Sequence, residues 1–180
     1  MPRRRRTVAM KINSLRELFI SQLREAADVE GQLERALPKM LQHASHAELK
    51  DAIHLHLGQT KEQARRIDRC FELLREEVKT ESSDGIKGIV KGGEHLMDRE
   101  GDPAAIDAGI IASAQKAEHY EIALYGTLCS YAEMLGEQEC LALLKQTLSE
   151  EKETDAKLTN LAERVINVHA MKGGEQTRHA

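Results

Sequence analysis

Four stretches of this chain repeat apolar residues at intervals of three and four, and only two of its three prolines, Pro38 and Pro103, lie away from the terminus. That spacing gathers the apolar residues on one face of a helix. With so few breakers the helices must be long. Aromatic residues are 3% of the chain and Trp is absent, which argues against a sheet. The 41% hydrophobic content excludes a disordered or collagen-like chain. A length of 180 residues suits one domain with one core. No run approaches the roughly 18 apolar residues of a membrane span.

The first segment opens at Asn13-Ser14, where Ser14 and Glu17 have capping-box spacing, and runs through Leu15, Leu18, Ala26, Leu33, Leu37 and Leu41. Pro38 is expected to kink it. Ser45 and Glu48 form a second capping-box pair, predicting a new helix from about 46 to 77. Residues 78–102 hold five of the chain's 12 glycines around one short helical pattern, Ile86 to Met97. Asp102-Pro103 restarts the chain with an N-cap followed by proline at the first helical position. The third long helix then runs to Gly136 and the fourth from about 137 to 168. The joins near 43–46 and 136 are short, so each must close an antiparallel hairpin. The middle join is long enough to cross over. The expected fold is all-α: a four-helix bundle over 12–168, made of two hairpins and a long crossover containing a short helix. A basic tail, 1–11, and a second tail, 169–180, are expected to be disordered.

Charge is uneven. The chain carries 26 basic and 30 acidic residues; without Arg3–Arg6 the balance is 22 against 30, or −8. An acidic body argues against a nucleic-acid-binding domain. The arginine run reads as a solvated tail, as residues ahead of an alternative start at Met10, or as a tether to nucleic acid or anionic lipid. It has no apolar segment beside it and is not a secretory signal. Cys70, Cys129 and Cys140 are odd in number and form no C-x-x-C; they read as small core residues in a reducing compartment, the cytoplasm.

Self-comparison shows a weak internal repeat. A shift of 88 places Glu30 on Glu118 and Met40 on Leu128, and a shift of 91 places Ile53 on Leu144 and Gln59-Thr60 on Glu150-Glu151. Acidic positions of the two halves thus correspond. Glu30, Glu118, Glu121 and Glu151 also fall within the apolar stripes, with Glu150 at a border, and His56, Gln59, Thr60 and Gln63 interrupt the stripe of the second helix. Glutamates at a stripe edge can reach water. Several withdrawn together would protonate or require positive charge at their level. No Lys or Arg occupies the mid-length stripe positions, so a divalent cation held by carboxylate oxygens, with help from imidazole, is the economical solution.

The runs from Glu30 to Met40, from His56 to Thr60, from Ala114 to Leu128 and from Thr147 to Lys152 resemble the YciE/YciF family of ferritin-like proteins, with Glu118-His119-Tyr120-Glu121 the most specific block. The resemblance spans about residues 12–166. It implies a ferritin-like bundle, often a homodimer, tied to bacterial stress responses. It also implies a site for one or two divalent ions, iron or manganese, with ferroxidase or related oxidoreductase activity. Carried over by motif, Glu30, Glu118, Glu121, Glu150 and Glu151 are the acids of that site. One departure weakens it: Gln59 stands where the family has Glu, and an amide adds no charge and bridges two ions poorly. The alternative is a non-catalytic structural or stress-protective dimer with a vestigial site. His56 is a ligand, a neighbour of ligands or a buried neutral histidine; His119 points outward. Tyr120 and Tyr125 are core residues or partners of a bound ligand. Neither the second nor the fourth helix carries the Glu-x-x-His pair usual in di-iron bundles.

If the arginine run tethers nucleic acid, the full chain is retained by DNA at low salt and released as salt rises, and a chain lacking residues 1–9 is not retained. Equal retention of the two assigns no such role to the run.

Overall fold

The computed structural model describes residues 12–176; the Arg3–Arg6 run lies outside them. Four long helices form the bundle: α1 (Leu15–His43), α2 (Ala47–Leu74), α4 (Pro103–Leu135) and α5 (Gln138–Leu161). The short α3 (Asp84–Met97) lies in the crossover and packs on α1 and α4. Contacts at the two ends fix the directions. Ser45 meets Asp107 at one end, while Arg16 meets Glu137 at the other, so α4 runs opposite to α1. Arg66 meets Thr147 and Gln59 meets Thr154, so α5 runs opposite to α2. The four rods therefore run up, down, down, up, as two hairpins joined by a crossover must.

Several ends follow the sequence signals. Ser14 accepts a hydrogen bond from the Glu17 amide, and the Glu17 carboxylate accepts one from Asn13 N. Asp102 accepts from the Ala104 and Ala105 amides, with Pro103 as the first residue of α4. Gly136 closes α4 at φ +75°, a left-handed position natural to glycine. Pro38 lies inside α1, which continues past it to His43.

Three expectations need correction. Ser45 and Glu48 do not form a capping box. His46 is the N-cap of α2 and its side chain makes no cap hydrogen bond. The turn is held from outside: the buried Asp107 of α4 accepts from Ser45 N (2.8 Å), Ser45 Oγ (2.5 Å) and His46 N (2.9 Å). A carboxylate from a neighbouring helix thus does what the local serine was expected to do. Second, α2 stops at Leu74, because Arg75 turns into the left-handed region at φ 57°. Third, the last helix does not end at 168. It passes through a π-helical segment, Ala162–Ile166, and continues as α6 (Asn167–Gln176), packed on α4. The expected tail therefore does not begin at 169. The wider π turn shifts the phase of the helix face.

The core is divided. One apolar cluster surrounds Phe19, Leu23, Phe71, Leu128 and Leu144, and it holds all three buried, free cysteines. The second surrounds Leu37, Leu49, Ile53, Ile110 and Leu158. Between them the four helices present polar residues: Glu30, His56, Thr60, Gln63, Glu118, Glu121 and Glu151, each no more than 4% exposed.

Asp107→Ala removes three charge-assisted hydrogen bonds from the α1–α2 turn. Water can replace part of them because Ser45 is exposed. The expected cost is about 2 kcal/mol, in the range of a lost helix cap. A lowered urea midpoint at unchanged slope would show it.

Candidate metal centre

Each long helix contributes to the polar layer. His56 of α2, Glu118 and Glu121 of α4 and Glu151 of α5 each offer a ligand atom, and these atoms lie within 4.8 Å of one another. All four residues are buried. Glu118 and Glu121 share a face because they are three apart on α4. Glu30 of α1 joins the layer: the fully buried Tyr125 hydroxyl donates to its Oε1.

Few partners reach these oxygens. His56 Nε2 lies 3.1 Å from Glu118 Oε1, and the Gln63 amide donates to Glu151 Oε1. Glu30 Oε2, Glu118 Oε2, Glu151 Oε2, both oxygens of Glu121 and His56 Nδ1 are buried without a hydrogen-bond partner. Leaving one buried acceptor unpaired costs about 1–3 kcal/mol, more when it is charged, so five such oxygens in one layer call for a common partner.

Withdrawal from water makes the ionised forms unfavourable. Burial, reinforced by the neighbouring carboxylates, lifts Glu30 to about 8, against the lowering effect of its Tyr125 hydrogen bond. Burial lifts Glu118 to about 7 and, with Glu118 beside it, Glu151 to about 9. Glu121 is pushed well above the carboxylate range by burial and then by Glu151, Glu30 and Glu118. Burial also lowers His56, favouring the neutral imidazole that can ligate a cation. Without a cation the layer carries shared protons; with one, those protons leave.

Three of the residues expected at the site lie outside the four-residue group: Glu30, which joins it only in the wider layer, and Glu150 and Gln59, which lie at the edge. Glu150 turns aside to a bidentate pair with Arg66, 2.6 and 2.7 Å, which holds its carboxyl below the ordinary range despite partial burial. Arg66 also qualifies the expectation that no cation sits at mid-length: it reaches this level from the edge of α2 and neutralises Glu150 alone. Gln59 is half-buried, its Oε1 3.5 Å from the Thr154 hydroxyl. The inward residues of α2 are Thr60, bonded back to the His56 carbonyl, and Gln63. Gln63 was expected to interrupt the α2 stripe but not to serve the site, where it engages Glu151. His119 is exposed, as expected, 3.4 Å from Asp155. Tyr120 donates to Glu25 beside Ser83, away from the layer. Gly92-Gly93 lies within α3 and forms no phosphate loop.

The family model of a domain of unknown function, DUF892, matches residues 14–171. The chain belongs to the DUF892 family. Escherichia coli (strain K12) protein YciF is 39% identical over 162 residues, covering 89% of this chain and 98% of its own length. The crystal structure of that E. coli stress protein superposes with a TM-score of 0.83 over 87% of this chain and 99% of the other. YcfI from Rhodopseudomonas palustris, a proposed structural protein, is 34% identical with a TM-score of 0.82, over 84% and 96% of the two chains. A Xanthomonas campestris protein is 26% identical with a TM-score of 0.70, over 90% and 98%. The chain is thus a YciF-like member of DUF892 with a buried carboxylate and histidine group. Among the described residues no helix is long and apolar enough to cross a membrane.

The raised carboxyl groups set the pH dependence of the metal-free protein. Folded Glu30, Glu118 and Glu151 keep protons that the unfolded chain releases near 4.5, so their stabilising effect is complete below that value and is lost as pH rises through about 7 to 9. His56 acts in the opposite sense, with its effect complete above 6.5. Thermal unfolding of metal-free protein should therefore occur at lower temperature at pH 9 than at pH 6.5. Glu121→Gln, which removes one forced ionisation, should reduce that fall, and a flat profile in the unchanged chain would contradict the protonated layer.

Proposed function

We propose that the layer binds one or two divalent ions, iron or manganese, and that the chain is a stress-associated oxidoreductase of the ferroxidase kind. The convergence of His56, Glu118, Glu121 and Glu151 carries this reading, because their buried unpaired oxygens have no other common partner within reach. The donor set fits. Carboxylate oxygens with one imidazole suit iron(II) and manganese(II), whereas softer ions favour thiolates, and the cysteines belong to the apolar cluster beside the layer. With Glu30, the layer can present four negative charges, matching two divalent ions when every proton has left.

His56, Glu118, Glu121 and Glu151 would hold the ions, with Glu30 steered toward them by Tyr125. When bound, a redox-active ion supplies the electrons that reduce dioxygen or peroxide. Gln63 fixes the direction of Glu151 by engaging one of its oxygens. Glu121, with neither oxygen engaged, is free to change how it coordinates as charge changes. Protons on Glu30, Glu118 and Glu151 compete with the cation and depart on loading. The apolar clusters on either side keep bulk water out.

A second reading is favoured by α2, which gives no carboxylate to the group: Thr60 and Gln63 face inward. The layer would then remain as shared protons in a structural protein, the description given to the R. palustris relative.

Protein loaded anaerobically with ferrous iron or manganese and then dialysed should retain one or two ions per chain, and Glu118→Ala should retain markedly less. On aerobic mixing with ferrous iron, the unchanged chain should consume dioxygen several-fold faster than Glu118→Ala. Equal metal content removes the site. Retained metal with equal oxygen consumption removes the activity and leaves a structural ion.

A further inference from the structure

We propose that a small cavity beside the carboxylate layer is a docking chamber for an uncharged diatomic gas of the dioxygen class, delivered to the layer on its His56 and Glu118 side. The inference deepens the oxidoreductase reading and rests on it.

The cavity measures ≈ 30 Å³ and lies between α1, α3 and α4, with His56 of α2 also in its wall. A water needs about 10–15 Å³ of such space, so there is room for a diatomic molecule. Its wall is almost wholly apolar, formed by residues such as Leu33, Leu37, Ile89, Met97, Ala114 and Ala117. Of the four polar residues in the wall, two are committed elsewhere: Ser113 donates to the Gly109 carbonyl, and Glu94 is paired with Lys39. The other two are His56 and Glu118, members of the carboxylate group, each with one atom lacking a hydrogen-bond partner. Water and peroxide need about two to four hydrogen-bond partners, and only the His56 and Glu118 end of the wall offers any; over the rest of the chamber an apolar gas, which gives up none on entering, is favoured.

The chamber has a route to solvent. Val90, Glu94 and Met97 of α3 line both the cavity and a surface depression of ≈ 570 Å³, so one short helix separates the two. α3 is also the least robust helix over the core: four of its 14 residues are glycine, each costing about 1 kcal/mol relative to alanine. Gly93 sits in close contact with α4: a Cβ there would stand 3.3 Å from the Ser113 Cβ, tight enough that the two helices would have to give by a few tenths of an ångström. The Lys39–Glu94 pair, 2.5 Å, ties α3 to α1 over the opening.

Xenon tests the chamber without any metal. Crystals of the metal-free chain under xenon pressure should show one anomalous peak between Leu37, Met97 and Ala114. The peak should vanish in Ala114→Val and Ala36→Val, which fill the space, and strengthen in Leu37→Ala, which enlarges it. No xenon in either the unchanged chain or Leu37→Ala overturns the proposal. In iron-loaded protein, Ala114→Val should raise the KM for dioxygen several-fold while kcat and metal content hold; an unchanged KM overturns it as well. A chain that takes xenon but no metal removes the oxidoreductase reading and leaves the gas cavity standing.

Discussion

Carboxyl groups drawn from three helices into one dry layer repel each other and lose their water, and most of what is distinctive in this bundle follows from that repulsion. Glu30 has Tyr125, Glu151 has Gln63 and Glu118 has His56, yet each keeps an oxygen unpaired, and Glu121 has no partner for either. Protons or a cation must supply the missing positive charge. The two answers are in competition, which links metal affinity, pH and stability through the same few atoms. Glu150 shows the contrast: one residue before Glu151, it turns to Arg66 and is settled by an ordinary ion pair at the edge of the bundle.

The rest of the architecture holds that layer in register. Two apolar clusters clamp it from above and below, so sliding any helix by one turn would place a carboxylate against leucine. The ends of the rods are fixed by contacts between helices: Asp107 reaches across to hold the α1–α2 turn, and Arg16 touches Glu137 and the Leu74 carbonyl at the opposite end. Asp28 accepts from Ser83 N and so anchors the entry of α3 on α1. α3 in turn covers the flank of the layer where the apolar cavity lies.

Much of this was legible in the sequence. The stripes gave the four rods, the caps at Ser14 and Asp102 gave two of their starts, and the position of Glu30, Glu118, Glu121 and Glu151 within the stripes placed them inside. Legibility failed where a residue acts across the gap between helices. Asp107 displaced the expected capping box at Ser45. Gln63 could be seen to interrupt the α2 stripe, but nothing along the chain marked it as the partner of Glu151. Gln59 and Glu150 occupied corresponding positions in the repeat and proved to be edge residues together, while their neighbours Thr60 and Glu151 turned inward.

Sequence alone therefore determined the helical class, the two hairpins and the inward-facing acids, because periodicity and capping are local properties of a chain. Which of those acids meet, which is neutralised by Arg66, and where a cavity remains beside them were decided only by the packing of α1, α2, α4 and α5. Distances of a few ångströms between side chains on different helices depend on rotation and register, and neighbours along the chain do not encode these.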